Sequence, residues 1–333
     1  MNIQEVLLKD FSSLHIGGKG KIVVVKNEEE LVEAVMHAKA VGLRVHIIGE
    51  GTNTYFGEDL SEYLFIKNEI KGVEFRLEVT GCTLLASSGE TWDDIVMLTV
   101  EKGLWGIENL SLIPGTIGGA PVQNIGAYGA ELADVFVSLR ALDITTIQFV
   151  ELSKEFCAFG YRDSIFKRET GRYIVTSLRL LLSQEKKPIL SYKPLDSLLG
   201  KTDLTIADVR DLVVKIRTEK LPDYKVYPNA GSFFKNPIVG KQEGDALLAR
   251  FPGMPLHKVG DGYKIPAAWL IEHVAQMKGM RIGAVGTWPN QPLVMVNYNE
   301  ATANEFQGFI ELITQKVEKG SGVNLHQEVN FVD

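Results

Sequence analysis

The apolar run KIVVV at 21–25 predicts a buried strand. Behind it Leu31, Val35 and Ala38 recur at helical spacing, with Asn27 placed to cap the helix, Glu30 three residues on, and Gly42 ending it. Leu43 to Ile48 predicts a second strand, so the chain opens as a strand–helix–strand unit. Gly49-Glu50-Gly51-Thr52-Asn53 follows directly. It carries two glycines of a dinucleotide fingerprint but has Thr54 where the third belongs, and no helical pattern follows. On its own such a loop is most often a turn.

From about residue 63 the pattern turns strand-rich: YLFIK, VEFRLEV and TLLASSG, then a helix with Thr91 as cap, Asp94 in its first turn and Gly103 at its end. SLRALDI, TTIQFVEL and YIVTSLRLLL predict further strands. A helix over Thr205–Lys220 turns Val209, Leu212, Val213 and Ile216 inward and stops before Pro222, where a domain boundary is expected. Beyond it, helices are predicted at 241–250, at 266–278 with Pro266 in the first turn, and at 303–319 with a Thr302/Glu305 capping box and Gly320 after it. RIGAVG and PLVMVN are the strands between. Near the C-terminus, alternation puts Leu325, Val329 and Phe331 on one face and His326, Glu328 and Asn330 on the other.

One stretch breaks both periods. Asn109 to Ala130, NLSLIPGTIGGAPVQNIGAYGA, has no charge, five glycines and two prolines, and lies between Glu108 and Glu131. Pro114, Pro121 and the glycines exclude a membrane helix and a sheet strand. A long buried loop remains. Its glycines imply close approach to its backbone, and its N–H groups need partners that a ligand can supply. Gln123, Asn124 and Tyr128 among the glycines favour a ligand platform over a plain turn cluster. With GEGTN, it makes a second glycine-rich loop able to grip a nucleotide cofactor, Thr52 and backbone amides meeting the pyrophosphate.

The totals narrow the class. The 333 residues suffice for two or three domains, and the 45% hydrophobic and 23% charged fractions are those of an ordinary globular protein. A net charge of −7 without a basic block argues against nucleic acid. MNIQEVLLKD lacks a signal-length apolar core, so a cytoplasmic location is expected. Cys82 and Cys157 form no CxxC pair, and the six histidines have no metal-ligand spacing, so no metal is expected.

Four further segments carry candidate chemistry. Ala158 to Phe166 is a polar knot between apolar flanks. Arg162 there could pair with Asp163, or hold a carboxylate from a turn. The proline-flanked excursion from Lys186 to Pro194 presents Tyr192, either as a surface residue or as a lid aromatic. YPNAGSFFKNP at 227–237 offers Ser232, ordinarily a turn serine. Glu328, taken alone, reads as part of a solvated face.

In order along the chain, GEGTN, IPGTIGGAPVQNIGAYG, FGYRDSIFK, RTEKLPD, NAGSFFKNP and the terminal QEV resemble the UDP-N-acetylenolpyruvoylglucosamine reductase family, in its type I branch, from about residue 10 to the end. The resemblance implies an α+β protein: a vanillyl-alcohol-oxidase-type FAD-binding fold of two α+β domains plus a third α+β substrate-binding domain. The expected divisions are 1–70, joined by a C-terminal strand near 328–333, then 71–220 with the Tyr192 loop, and 221–327 for substrate. It implies non-covalent FAD, NADPH as hydride donor, the enolpyruvyl UDP-sugar as substrate, and a monomer.

Residue by residue, the resemblance carries Arg162 and Glu328 to the substrate carboxylate and Ser232 to proton donation. Help from Glu328 requires its protonated form, which burial beside an anion favours. Gly49, Gly51, Thr52 and Asn53 would hold the FAD pyrophosphate. Pro114, Gly119, Val122, Gly126 and Ala127 would line the flavin. Tyr192, Lys220, Asn236, Lys264 and Gln291 would face the UDP-sugar. Departures stand at His326 (commonly an acid), Asn330 (usually arginine), His257 (near a usual tyrosine) and Gly119 (often serine). Two other readings are an FAD-dependent oxidase on the same scaffold and a non-catalytic flavin- or nucleotide-sugar-binding protein. The first has no use for a UDP pocket. The second needs no Arg162, Ser232 and Glu328 together.

Overall fold

The computed structural model describes residues 1–333, which its contacts divide into two units. Unit 1 comprises Met1–Val6, Lys19–Gly51 and Ser61–Thr218. Unit 2 comprises Leu7–Gly18, Thr52–Leu60 and Glu219–Asp333.

The opening pattern in unit 1 folds as read. The Asn27 side chain accepts the Glu30 N–H at 2.8 Å, and the Glu30 carboxylate accepts the Lys26 N–H at 2.7 Å, which starts the helix Glu28–Ala40. Leu31, Ala34, Val35 and Ala38 of that helix are buried in one core with Val23, Val25, Leu64 and Ile66. Those come from a four-stranded sheet ordered Gln4–Leu7, Lys19–Val25, Asp59–Asn68, Arg44–Ile48, in which the last two strands run parallel.

A second, antiparallel sheet is ordered Gln148–Ser153, Phe136–Asp143, Tyr173–Leu182, Gly81–Ser87, Val73–Glu78. Its core holds Leu84, Leu139, Leu178 and Leu180 with Trp92, Ile95 and Val96 of the helix Trp92–Glu101. Leu110, Ile117, Ala120 and Ile125 of the uncharged stretch lie in the same core. That is why the stretch carries no charge.

Unit 2 is built on an antiparallel sheet ordered Asn229–Ser232, Gln291–Asn297, Val285–Trp288, Arg281–Ile282. The helix Ala303–Ser321 buries Phe306, Phe309, Ile310, Ile313 and Val317 in the core of this unit, and the Thr302/Glu305 capping box is made. Asn330–Val332 pairs in parallel with Thr54–Phe56. No helix is long and apolar enough to cross a membrane.

Several local expectations are corrected. RIGAVG is two strands, because Gly283 at φ 57° turns the chain so that Ile282 faces Val285. The 266–278 helix is only Ala267–Trp269 followed by a wide turn over Leu270–Val274, and it unwinds at Gln276, φ 54°. Gly320 does not end the last helix: a Cβ there would lie 2.3 Å from Val274 Cγ1, so this glycine serves packing, and Gly322 at φ 82° forms the cap. Thr91 sits at the cap position of its helix, but its side chain makes no cap bond. Only Asn330–Val332 of the terminal alternating segment joins a ladder.

Phe306 is fully buried among Tyr55, Phe233 and the helix face. Phe306→Ala is expected to cost about 3–5 kcal/mol and Thr302→Ala about 1 kcal/mol, measured by urea unfolding. Equal effects from both would contradict this account of the unit 2 core.

Candidate active site

In unit 1 two glycine loops are fastened to each other. The Gly115 N–H donates to the Glu50 carboxylate at 2.8 Å, and the Lys67 ammonium donates to the Gly49 carbonyl. Burial lowers the pKa of Lys67. Gly49 lies so close to Thr116 that a Cβ would be 2.6 Å from its Oγ1. Gly51 takes φ 66°.

The uncharged stretch is a chain of tight turns. Gly119 N–H donates to Thr116 O at 3.0 Å, Val122 N–H to Gly119 O at 3.2 Å, and Ile125 N–H to Ala120 O at 3.1 Å. Ile117 and Gly118 donate to Glu90 and Ser88 carbonyls, each at 2.9 Å. These amides are therefore satisfied by the protein itself, and the expectation that they await a ligand is corrected. What the stretch offers outward is an uncharged surface. Pro114 and Gly119 are exposed, and Val122, Gly126 and Ala127 are half-buried. A Cβ on Gly119 would find its nearest neighbour only at 3.5 Å. Such a surface fits a planar, apolar ring system such as a flavin.

Two hairpins complete this part. Gly126–Ala127 pairs with Ala130–Glu131, and Tyr128 (φ 50°) and Gly129 (φ 85°) form the tip, the geometry of a type I′ turn. Gly160 and Asp163 exchange backbone bonds around Tyr161 and Arg162, with Arg162 at φ 53°. The Arg162 guanidinium donates to the Gly126 carbonyl at 2.7 Å, and a Cβ on Gly126 would sit 3.1 Å from Arg162 Nη1. Asp163 forms its ion pair with Arg168, at 3.1 Å.

Asn124 is the pin between the hairpins. Buried at φ 45°, it donates to Glu131 Oε2 at 2.8 Å and Gly160 O at 3.2 Å, and accepts the Ala133 N–H at 3.0 Å. The Ser164 hydroxyl donates to Val122 O. The Tyr192 ring, half-exposed, meets Tyr128 edge-on at 5.4 Å, and Asn109 Nδ2 ties the two segments by donating to Tyr128 O at 2.8 Å and Ile189 O at 2.9 Å.

In unit 2, the segment after Ser232 runs antiparallel to the segment before Val329. Phe233 O accepts the Glu328 N–H at 2.8 Å, and Lys235 N–H donates to His326 O at 2.9 Å. Phe233 and Phe234 are buried anchors in the core. Gly231, φ 70°, has open space where a Cβ would be, directly ahead of Ser232. Asn236 Oδ1 accepts the Ala267 N–H at 2.9 Å, and Lys264 lies between Ile238 and His257 in a three-stranded sheet. Asn53 joins the same region through Asn330 N–H to Asn53 O, 3.0 Å.

The structure thus brings Arg162, Gly126, Ala127, Val122 and Tyr192 into one assembly in unit 1, beside the Gly49–Gly51 loop. Ser232, Glu328 and Asn53 are brought together in unit 2, whose sheets also carry Gln291 and Lys264. Lys220 closes the helix Ile206–Lys220. His326, one of the departures, is exposed. A cleft of about 400 Å³ in unit 2, lined by Lys9, His15, Glu58 and Glu300 among others, includes none of these residues.

Sequence reasoning passed over Glu50, Lys67 and Arg217. Glu50 was visible as the one charge between two glycines. Arg217 follows Val213 by four residues on its helix, so a charge fell on the buried stripe.

The comparisons bear on this assembly. Residues 222–332 match the family model for the UDP-N-acetylenolpyruvoylglucosamine reductase C-terminal domain, and residues 20–149 match that for an FAD binding domain. A protein named UDP-N-acetylenolpyruvoylglucosamine reductase from Escherichia coli O157:H7 is 42% identical over 313 residues, 93% of this chain and 91% of that one. Its namesake from Cupriavidus pinatubonensis is 40% identical over 307 residues, 91% of each chain. This chain belongs to the UDP-N-acetylenolpyruvoylglucosamine reductase family. It is an FAD-dependent oxidoreductase. The crystal structure of the Thermus caldophilus enzyme of that name superposes with a TM-score of 0.69 at 24% identity, covering all of both chains, which bears out the expected α+β fold.

Asn124→Ala removes three hydrogen bonds and leaves an alanine at positive φ. The variant is expected to lose about 2–3 kcal/mol of stability and to bind FAD at least about 10-fold more weakly, read by urea unfolding and by flavin fluorescence titration of the apoprotein. Undiminished FAD affinity would contradict its role as the pin.

Proposed function

We propose that this chain reduces the enolpyruvyl group of UDP-N-acetylenolpyruvoylglucosamine to UDP-N-acetylmuramate, with NADPH as electron source and FAD as carrier, and that Arg162, Ser232 and Glu328 carry the second half-reaction. The observation that carries the residue assignment is the pairing of the Ser232 loop with the Glu328 segment through Phe233 O, which fixes an alcohol and a carboxylic acid on adjoining backbone.

Bound FAD would supply the redox chemistry, taking hydride from NADPH and giving it to the terminal vinyl carbon of the sugar. Hydride arrival pushes charge toward the substrate carboxylate, which calls for fixed positive charge. The Arg162 guanidinium, locked by its turn and by Gly126, supplies that charge without reorganising. The neighbouring carbon then takes a proton. Ser232 Oγ gives it, a weak acid made effective by position beside a strongly basic carbon, and Glu328 in its protonated form assists at the carboxylate.

Gly49, Gly51, Thr52 and Asn53 are assigned to the FAD pyrophosphate, and Pro114, Gly119, Val122, Gly126 and Ala127 to the flavin. Tyr192, Lys220, Asn236, Lys264 and Gln291 are assigned to the UDP-sugar. Residues 1–70 with the C-terminal strand, and 71–220, are taken as the two FAD-binding subdomains, and 221–327 as the substrate domain. The enzyme is taken to work in the cytoplasm as a monomer, without nucleic acid.

Ser232→Ala is expected to leave flavin reduction by NADPH near normal and to slow reoxidation by the enolpyruvyl sugar by about three orders of magnitude or more. Anaerobic stopped-flow absorbance separates the halves. Equal losses in both would remove Ser232 as the donor.

A further inference from the structure

Near the C-terminal end of the helix Ile206–Lys220, the Arg217 guanidinium is in an unusual electrostatic position. Its Nε–H is sealed from solvent and has no hydrogen-bond partner. The two other side-chain atoms in that state, Asn109 Oδ1 and Trp288 Nε1, carry no charge. A buried donor on an ion is costly to leave unpaired, which marks Arg217 out.

What surrounds it does not neutralise it. The Tyr128 hydroxyl lies close enough to the guanidinium to interact with it favourably, and it is neutral. The carboxylate within electrostatic reach, Asp93, is already held bidentate by Arg210 at 2.8 and 2.9 Å. Arg162 is also within reach and repels it. Burial, above all, lowers the Arg217 pKa. Two guanidiniums therefore act on the same hairpin, Arg162 through the Gly126 carbonyl and Arg217 through Tyr128, and the second keeps a spare donor. An oxyanion placed there would relieve the repulsion and satisfy the orphan at once.

We infer that Arg217 is a second anion-binding residue of the active site, its Nε–H taking an oxygen of the substrate carboxylate beside Arg162. The inference rests on the reaction proposed above. The alternative anion is the FAD pyrophosphate. The loop assigned to that group is tied instead by Glu50 and Lys67 to Gly115 and Gly49, and the groups that act on Arg217 are Tyr128, Asp93 and Arg162.

The test uses FAD-loaded protein and two UDP-sugars, UDP-N-acetylmuramate, which carries the lactyl carboxylate, and UDP-N-acetylglucosamine, which lacks it. In Arg217→Met the first is expected to bind about 30-fold more weakly and the second unchanged. Apoprotein affinity for FAD and the rate of flavin reduction by NADPH should stay within about 3-fold of wild type. Arg217→Lys should recover part of the discrimination, since it restores charge without the fork. Arg217→Gln, which keeps a donor for Tyr128 and loses the charge, carries the same test if the methionine variant does not fold. Unchanged muramate binding, equal weakening of both sugars, or loss of FAD affinity with discrimination intact would each overturn the inference. Wild-type protein that fails to distinguish the sugars would instead overturn the proposed reaction.

Discussion

The 2.7 Å hydrogen bond from the Arg162 guanidinium to the Gly126 carbonyl joins the two segments on which unit 1 is assembled for chemistry. It requires three things of the chain. Arg162 must sit in a left-handed turn, Gly126 leaves little room for a Cβ, and the uncharged stretch must be buried deeply enough to hold its carbonyl still. None of these is favourable locally. Arg162, Tyr128, Asn124 and Ala158 all take positive φ, at about 1 kcal/mol or more each. A sum near 4 kcal/mol is a sizeable part of an ordinary domain's stability. The five-stranded sheet and Leu110, Ile117, Ala120 and Ile125 in its core supply the burial that holds the strain in place.

Charge follows the same arrangement. Within unit 1 the carboxylates nearest the knot are committed: Glu50 to the Gly115 amide, Glu131 to Asn124, Asp163 to Arg168, Asp93 to Arg210. The guanidiniums of Arg162 and Arg217 remain as the positive charges of the assembly, Arg162 on the Gly126 carbonyl and Arg217 near Tyr128, against whose ring Tyr192 rests. A site that must receive a carboxylate and stabilise growing negative charge on it needs that imbalance prepared beforehand. In the proposed reaction Ser232 and Glu328, in unit 2, meet a different requirement, the controlled supply of a proton, and there the buried Phe233 and Phe234 do the anchoring.

Much of this was legible in the chain. Asn27 with Glu30, and Thr302 with Glu305, announce their helices because a cap is a local interaction between residues three apart. The glycine-rich stretch was recognisable as a buried loop because charge is absent where burial forbids it. Its glycines were harder to read. Gly49 and Gly118 are demanded by Thr116 and Ser88, neighbours brought close only by the fold, and not by a ligand lying on the backbone. Gly320 misled for the same reason, since Val274 is remote in sequence. Arg217 was hidden because an arginine on a helix looks solvated until its neighbours are known, and the left-handed turn at Gln276 has no glycine to announce it.

The central claim is that this chain passes electrons from NADPH through a non-covalent flavin to an enolpyruvyl sugar. The most direct test is the absorbance spectrum of purified protein, followed without oxygen through one addition of NADPH and then of UDP-N-acetylenolpyruvoylglucosamine. The account predicts a yellow protein that bleaches with NADPH and recovers its colour with the sugar. Colour that returns only when oxygen is admitted would contradict it, as would a colourless protein that cannot take up FAD.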